Sequence, residues 1–484
     1  MTDAGAFVAT NDQQRLDLRL AEYDCWATRA HVRMLVEIGV MRKEDGALAL
    51  EALGEIEELS RSGAFPYDPK LGAQLSLEQA LVERVGAAIG YQVHTGRSRN
   101  DEVTTAQKLY VRDAVLELMG DLVVLVDVLL ARAAASVTTV MPGYTHMQPA
   151  RPTSVAQWCG AYAEMCLGDL GRLRDALERA DSSPLGAAES YGTSWPLDRA
   201  LTAELLCFSR VDEIPIAAIS TRGESDLDVL AAMSFLALHL SKMAQDLLLF
   251  TTFEYRFARL GAAQATRMGK LTGSSIMPQK RNPDVLEILR AGSSEIHSYL
   301  MRCLELLNAL PSGYNRDGRE TKGPIMDGID RTRSNVAQMA QVMLGLEFDE
   351  ERMLAAVRAN YSMATDLSER LAQQFAVPSR IMYRVVGRVV DALIESGRPL
   401  EAADPEQLRL EAEREGYDVA ISAEELAKAI DPRAALERRR TLGGAASVQM
   451  ASWQQRREAD LAAVAGWIEA RRSAIAAARF ERPA

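Results

Sequence analysis

The chain has 484 residues, 48% of them hydrophobic, 25% charged and only 6% aromatic. That is the balance of a folded, helix-prone protein too long for one ordinary core, so two or three domains are expected. A formal net charge of −12 argues against sequence-independent binding to nucleic acid or anionic lipid, while leaving room for a local basic pocket.

The N-terminus, MTDAGAFVATNDQQ, has neither the basic start nor the apolar stretch of a leader. Residues 12–62 read as two short amphipathic helices around a turn at Glu44-Asp45-Gly46, and Gly63, Pro66 and Pro69 then break the pattern. From about 105 to 136, Leu109, Val115, Leu118, Leu122, Leu125 and Leu129 recur at three- and four-residue steps. Roughly 30 residues at 1.5 Å each make a rod of ~45 Å. Further long helices are expected at about 153–180, 225–259, 284–309 and 328–345, with Gly and Pro in the connections and almost no strand-like alternation. Runs such as Leu122-Val123-Val124-Leu125-Val126 and Leu247-Leu248-Leu249-Phe250 are apolar around most of a helix, which predicts burial against other subunits. The richest of these, Leu122 to Leu130, is too short to span a bilayer. The reading is therefore an all-α fold in three parts: 1–104, a long-helix bundle at 105–345, and a smaller helical unit at 346–484. The five scattered cysteines (Cys25, Cys159, Cys166, Cys207, Cys303) lack any metal or CxxC spacing and read as reduced thiols in a cytoplasm.

Three polar segments sit between the rods, where functional side chains on rigid scaffolds concentrate. His94-Thr95-Gly96-Arg97-Ser98-Arg99-Asn100-Asp101 offers two arginines, hydroxyls and an amide ahead of a long helix, suited to gripping a carboxylate. A capped helix start is the bland alternative. Pro142-Gly143-Tyr144-Thr145-His146-Met147-Gln148-Pro149 holds one of only five histidines, the side chain best placed to move protons near neutral pH; a lone histidine is more often structural. In Gly273-Ser274-Ser275-Ile276-Met277-Pro278-Gln279-Lys280-Arg281-Asn282-Pro283-Asp284, hydroxyls, a charge and an amide precede a helix carrying Glu287. A solvated basic loop fits poorly with the embedded Ile-Met-Pro.

GSSIMPQKRNPD resembles the signature loop of the aspartase/fumarase superfamily, and HTGRSRND and GYTHMQPARP resemble the other two signatures of its argininosuccinate lyase branch. The likeness continues through NDQQRLDLRLAEYD, ESDLDVL, YNRDGRETK, ATDLSERL and RTLGGAASVQ, in order. It implies a three-domain fold, a homotetramer built on a twenty-helix bundle, sites shared by three subunits, and no metal or organic cofactor. It implies cleavage of an N-substituted aspartate to fumarate and an amine, with Ser274 as base and Lys280 and Asn282 on the carboxylate where charge develops. His146, paired with Glu287, would serve amine departure, and Ser98, Arg99, Asn100, Thr145, Tyr314 and Lys322 would bind substrate.

Three positions depart from the branch's pattern on the side of the arginine arm: Gln13, Leu77 (in Ser76-Leu77-Glu78-Gln79) and Arg319. An unpaired Arg319 suits an amine product carrying another carboxylate, such as an ethylenediamine-disuccinate-like aminopolycarboxylate. The competing readings are a catalytically silent structural relative, opposed by the intact signature residues, and a C–O lyase acting on malate, opposed by TGRSRND.

Overall fold

The computed structural model describes residues 11–261 and 276–481. Three helices open it: α1 (Asn11–Leu18), α2 (Ala21–Glu37) and α3 (Lys43–Arg61). The turn expected at Glu44-Asp45-Gly46 lies earlier. The chain reverses at Gly39, whose φ of 75° is left-handed, and Glu44 and Asp45 occupy the acidic first turn of α3, where the helix dipole favours them. Gly46 marks close packing: a Cβ there would come 2.3 Å from Val36 Cγ2. With α4 (Ala73–Val85), these helices enclose a small core around Leu35, Leu53, Ile56 and Leu81.

Five long helices form the centre: α5 (Arg99–Ala135), α6 (Val155–Ala180), α7 (Glu224–Phe250), α8 (Asp284–Leu307) and α9 (Lys322–Gly345). Each expected rod is present, with shifted ends. Ser98 and Asp101 build a capping box that starts α5 at Arg99. Thr251 and Thr252 hydroxyls bond back to carbonyls of Leu247 to Leu249 and end α7 well before 259. Pro324 sits in the first turn of α9, where its missing N–H has no partner to lose.

Polar ties fix the directions of the rods. Trp158 near the start of α6 donates to Asp246 near the end of α7 (2.9 Å), while Arg179 near the end of α6 pairs with Asp228 near the start of α7 (3.0 Å). Arg290 and His297 on α8 reach Gln245 and the Ser234 carbonyl on α7, so that pair is also antiparallel. Arg333 on α9 bonds Asp121 on α5 (2.7 Å), and Arg132 at the end of α5 bonds the Leu346 carbonyl just past α9, so those two run parallel. One end of the bundle therefore gathers the N-termini of α5, α7 and α9. The other gathers their C-termini and the N-termini of α6 and α8.

Among the described residues one helix, α7, is long and apolar enough to cross a membrane. Its Leu230, Leu236, Leu240 and Leu247 are fully buried in the common core with α6, α8 and α9, as in a core helix. Strands are few and short. A hairpin, β1 (Val140–Thr145) with β2 (Gln148–Ser154), follows α5, and two further pairs of two or three residues each complete the set among the described residues. Beyond α9, residues 357–445 enclose a separate core centred on Leu367, Met382, Val385 and Leu408. The final long helix, α10 (Ser447–Ala476), returns to the bundle and buries Trp453, Leu461 and Ile468 in the central core. The expected 346–484 unit thus holds two packing environments. All five cysteines are free thiols.

Candidate functional site

At the end where α5, α7 and α9 begin lies a cleft of about 540 Å³. Of the expected site residues it brings together Ser98, Arg99, Asn100, Tyr314, Arg319 and Lys322. α1 contributes Asp17, the turn before α4 contributes Lys70 to Gly72, and Arg222 enters just ahead of α7. The N-terminus of α5 opens on this space through Ser98, Arg99 and Asn100, which favours an anion before any side chain is counted.

Lys322 is 2% exposed and paired with Asp17, as a buried ammonium must be. Burial pulls its pKa below the usual lysine range, against the pull of Asp17. Arg319, expected to be unpaired, lies 3.9 Å from the other Asp17 oxygen, so its charge is partly met within the chain. Tyr314 is held through its backbone N–H, which donates to Ser190 Oγ (3.0 Å). That loop is in turn stapled to α5: Asp101 Oδ2 accepts from the backbone N–H groups of Gly186 (2.8 Å) and Ala188 (3.0 Å). Burial pushes Asp101 up to about 6. A second buried carboxylate, Asp226, accepts from Gln107 (2.6 Å) and from the Thr321 hydroxyl (2.8 Å), tying α5 and α7 to the residue before Lys322. It too is pushed up to about 6 by burial.

Only one of the two expected arginines of the first signature faces this cleft. Arg97 turns inward to Glu102 (2.9 Å) and Thr28 (3.1 Å). With His94, Asp24 and Leu77 it lines an adjoining pocket of about 30 Å³, which shares Gln74, Leu75 and Arg99 with the cleft. Leu77, expected to face the substrate's amine arm, lines this adjoining pocket and is 5% exposed. Asp24, buried beside Glu102, is pushed up to about 8 by burial.

Thr145 and His146 lie at the opposite end of the bundle. Thr145 pairs with Gln148 across a two-residue hairpin loop whose members, His146 and Met147, have φ of 53° and 61°. Both central residues left-handed is the geometry that matches strand twist, although neither is Gly, Asn or Asp. The tip is exposed. Lys280, Asn282 and Glu287 share this end, before and within the first turn of α8; Lys280 and Glu287 are exposed, and no ion pair joins His146 to Glu287 within the chain among the described residues. Ser274 and the side chain of Gln13 lie outside the described residues. The two groups are separated by the length of α5, 37 residues or ~55 Å.

Sequence reasoning did not single out Arg222, Asp17 or Asp226. Asp17 and Asp226 were within segments that carried the resemblance, but only the fold turns them toward the cleft and its floor. No group of three or more His, Cys, Asp or Glu among the described residues is gathered as a metal would require.

Comparison with known proteins yields two family matches: a lyase model over residues 3–297 and an argininosuccinate lyase C-terminal model over residues 361–437. The chain is 38% identical over 439 residues to an argininosuccinate lyase of Thermus thermophilus, covering 90% of this chain and 92% of that one. It is 38% identical over 465 residues to that of Synechococcus elongatus, covering 94% and 95%. Among solved structures it is similar to EDDS lyase in complex with formate (28% identity, TM-score 0.85, 99% and 92% covered). A class II fumarase from Schistosoma mansoni shares the fold at 16% identity and a TM-score of 0.71, covering 86% and 90%.

Proposed function

This chain belongs to the argininosuccinate lyase branch of the aspartase/fumarase superfamily and is a carbon–nitrogen lyase, and we propose that it splits an N-substituted aspartate into fumarate and an amine at sites shared between chains. The observation that carries the shared-site reading is the separation of the matched residues to two ends of one bundle. A single chain cannot bring Lys322 and His146 to one substrate, whereas a neighbouring copy lying antiparallel can.

The chemistry asks for removal of a weakly acidic proton from the carbon beside a carboxylate. The C–H pair then delocalises into that carboxylate, the neighbouring C–N bond breaks, the C=C bond of fumarate forms, and the departing amine takes up a proton. Charge builds on the carboxylate in the transition state, so preorganised donors dominate the rate. Ser274 is the base in this reading, Lys280 and Asn282 hold the carboxylate, and His146, with Glu287 from the same end, serves the amine's departure. Ser98, Arg99, Asn100, Thr145, Tyr314 and Lys322 position the substrate. Outward-facing apolar residues on the rods, Val124, Phe235, Met301 and Leu344 among them, support a homotetramer. The free thiols of the five scattered cysteines support a cytoplasmic enzyme, and the acidic overall charge opposes nucleic-acid or anionic-membrane partners.

The test is fumarate formation, followed by ultraviolet absorbance, across a panel of N-substituted aspartates. Ser274→Ala should abolish turnover and leave substrate binding largely intact. A variant keeping more than about a tenth of kcat, ~1.4 kcal/mol in the barrier, removes Ser274 from the base role.

A further inference from the structure

Arg222 has no place in the matched signatures, yet it lines the cleft between Tyr314 and Arg319. Its residue is 7% exposed and its Nε is buried without a hydrogen-bond partner. The guanidinium donates to the Tyr314 hydroxyl, and the Tyr314 ring centroid is 5.9 Å from the guanidinium carbon. The turn before α9 lies against its aliphatic stem: a Cβ at Gly318 would meet Arg222 Cδ at 3.8 Å, an ordinary contact. Among the described residues no carboxylate lies within ion-pair distance of Arg222. Asp226, four residues on, already accepts from Gln107 and Thr321. Asp226 attracts the guanidinium from beyond ion-pair distance and the Tyr314 hydroxyl is neutral, so neither pairs its charge; a guanidinium cannot shed its proton to escape burial, and an anion in the cleft would complete it.

The rest of the lining does not supply that anion. Lys70, Arg99, Arg222, Arg316, Arg319 and Lys322 face the cleft, against the single carboxylate of Asp17, which is committed to Lys322 and Arg319. The two carboxylates of a fumarate half leave positive charge in excess. We propose that Arg222 is a specificity-determining residue that binds a carboxylate on the amine half of the substrate, so that the leaving amine is itself an amino acid or aminopolycarboxylate with its acid group close to the scissile bond. This rests on the C–N lyase reading above for the identity of the other half. A forked, permanently charged donor pairs bidentately with a carboxylate and repels a cation at the same point, so one side chain both selects and rejects.

The experiment compares two ligands of one shape: N-(2-carboxyethyl)aspartate and its amide, N-(2-carbamoylethyl)aspartate. Calorimetric binding and kcat/KM for fumarate release are measured on the full-length protein. The wild type should prefer the acid at least tenfold. Arg222→Gln should bring the ratio close to one, and Arg222→Lys, which keeps charge but not the fork, should retain part of it. The inhibition constant of fumarate should stay the same in all three. A wild type without preference for the acid overturns the proposal, even where Arg222→Gln fails to fold. So does an Arg222→Gln protein that loses acid, amide and fumarate binding equally, because that marks a structural role or one toward the succinyl half. Binding that discriminates acid from amide with no fumarate released from either upholds Arg222 and sinks the elimination reading instead.

Discussion

The two ends of the bundle are built differently. At the cleft end, Asp17, Asp101, Asp226 and Lys322 are buried and each is held by named partners from other elements. At the hairpin end, His146, Lys280 and Glu287 are exposed and project from a two-residue loop and a helix start. One end is a walled cleft whose charges are held from several sides; the other presents its ionisable side chains outward. The proposed site, completed by docking one kind of end against the other, needs that division, because the groups proposed to move protons would have to reach out of their own chain.

The sharpest way to break this comparison is complementation. Lys322→Met and His146→Asn should each lower kcat/KM at least a hundredfold, the first by removing the buried cation and the second by removing the proton carrier. Mixed oligomers, isolated with two affinity tags after co-expression, should regain activity, since some of their sites draw an intact residue from each chain. Verified mixtures as inactive as their parents would place both ends of the site within one chain.

A smaller effect separates binding from folding at the cleft end. Asp17→Asn leaves Lys322 buried without its counterion and should cost about 3 kcal/mol in urea unfolding, the range for breaking a buried pair. The double variant Asp17→Asn with Lys322→Met should recover much of that. If the single change costs nothing, the pair does not hold α1 against α9.

The third prediction concerns pH. Asp226 has a folded-state pKa of about 6, above the unfolded value, so the folded chain holds its proton more tightly. Its stabilising contribution is fully present below about pH 4 and lost as pH rises through about 6, leaving a penalty of about 3 kcal/mol at neutrality. Asp226→Asn keeps an acceptor oxygen for the Thr321 hydroxyl and should flatten the stability–pH curve between pH 4 and 6. An unchanged slope would mean that another group sets it.

The smallest expected change is at the hairpin tip. Met147 has a φ of 61°, and Met147→Gly should raise stability by up to about 1 kcal/mol with kcat unaltered. A fall in kcat would give the methionine side chain a part in the site.

Much of the fold was legible because helical periodicity survives in the rods, whose cores are strips of Leu, Val and Ala. Their ends were not. Periodicity says nothing about where Ser98 and Asp101 close a cap, or where Thr251 and Thr252 turn back on the last carbonyls. The site divided along the same line. The signature segments were legible as letters, but the inward turn of Arg97, the partial pairing of Arg319 and the burial of Leu77 depend on which side of a helix faces which neighbour. Arg222 was illegible for the same reason: a lone arginine in Ser220-Thr221-Arg222-Gly223 carries no mark of burial until the turn at Gly318 closes over it.

The length of α5 has a consequence of its own. In the proposed shared site the rod carries one half-site near each end, so its residue count sets the distance between them. Two added turns in α5, seven residues, would preserve the apolar stripe yet carry the hairpin ~10 Å further from the cleft. An antiparallel neighbour lengthened in the same way could realign by a shift of that length, but within each chain the start of α8, which shares the hairpin's end, would be left behind, and the ties from α9 to α5 would fall out of register. Insertions should therefore be tolerated in the loops of this family and excluded from α5, unless matched in α6, α7, α8 and α9 at once.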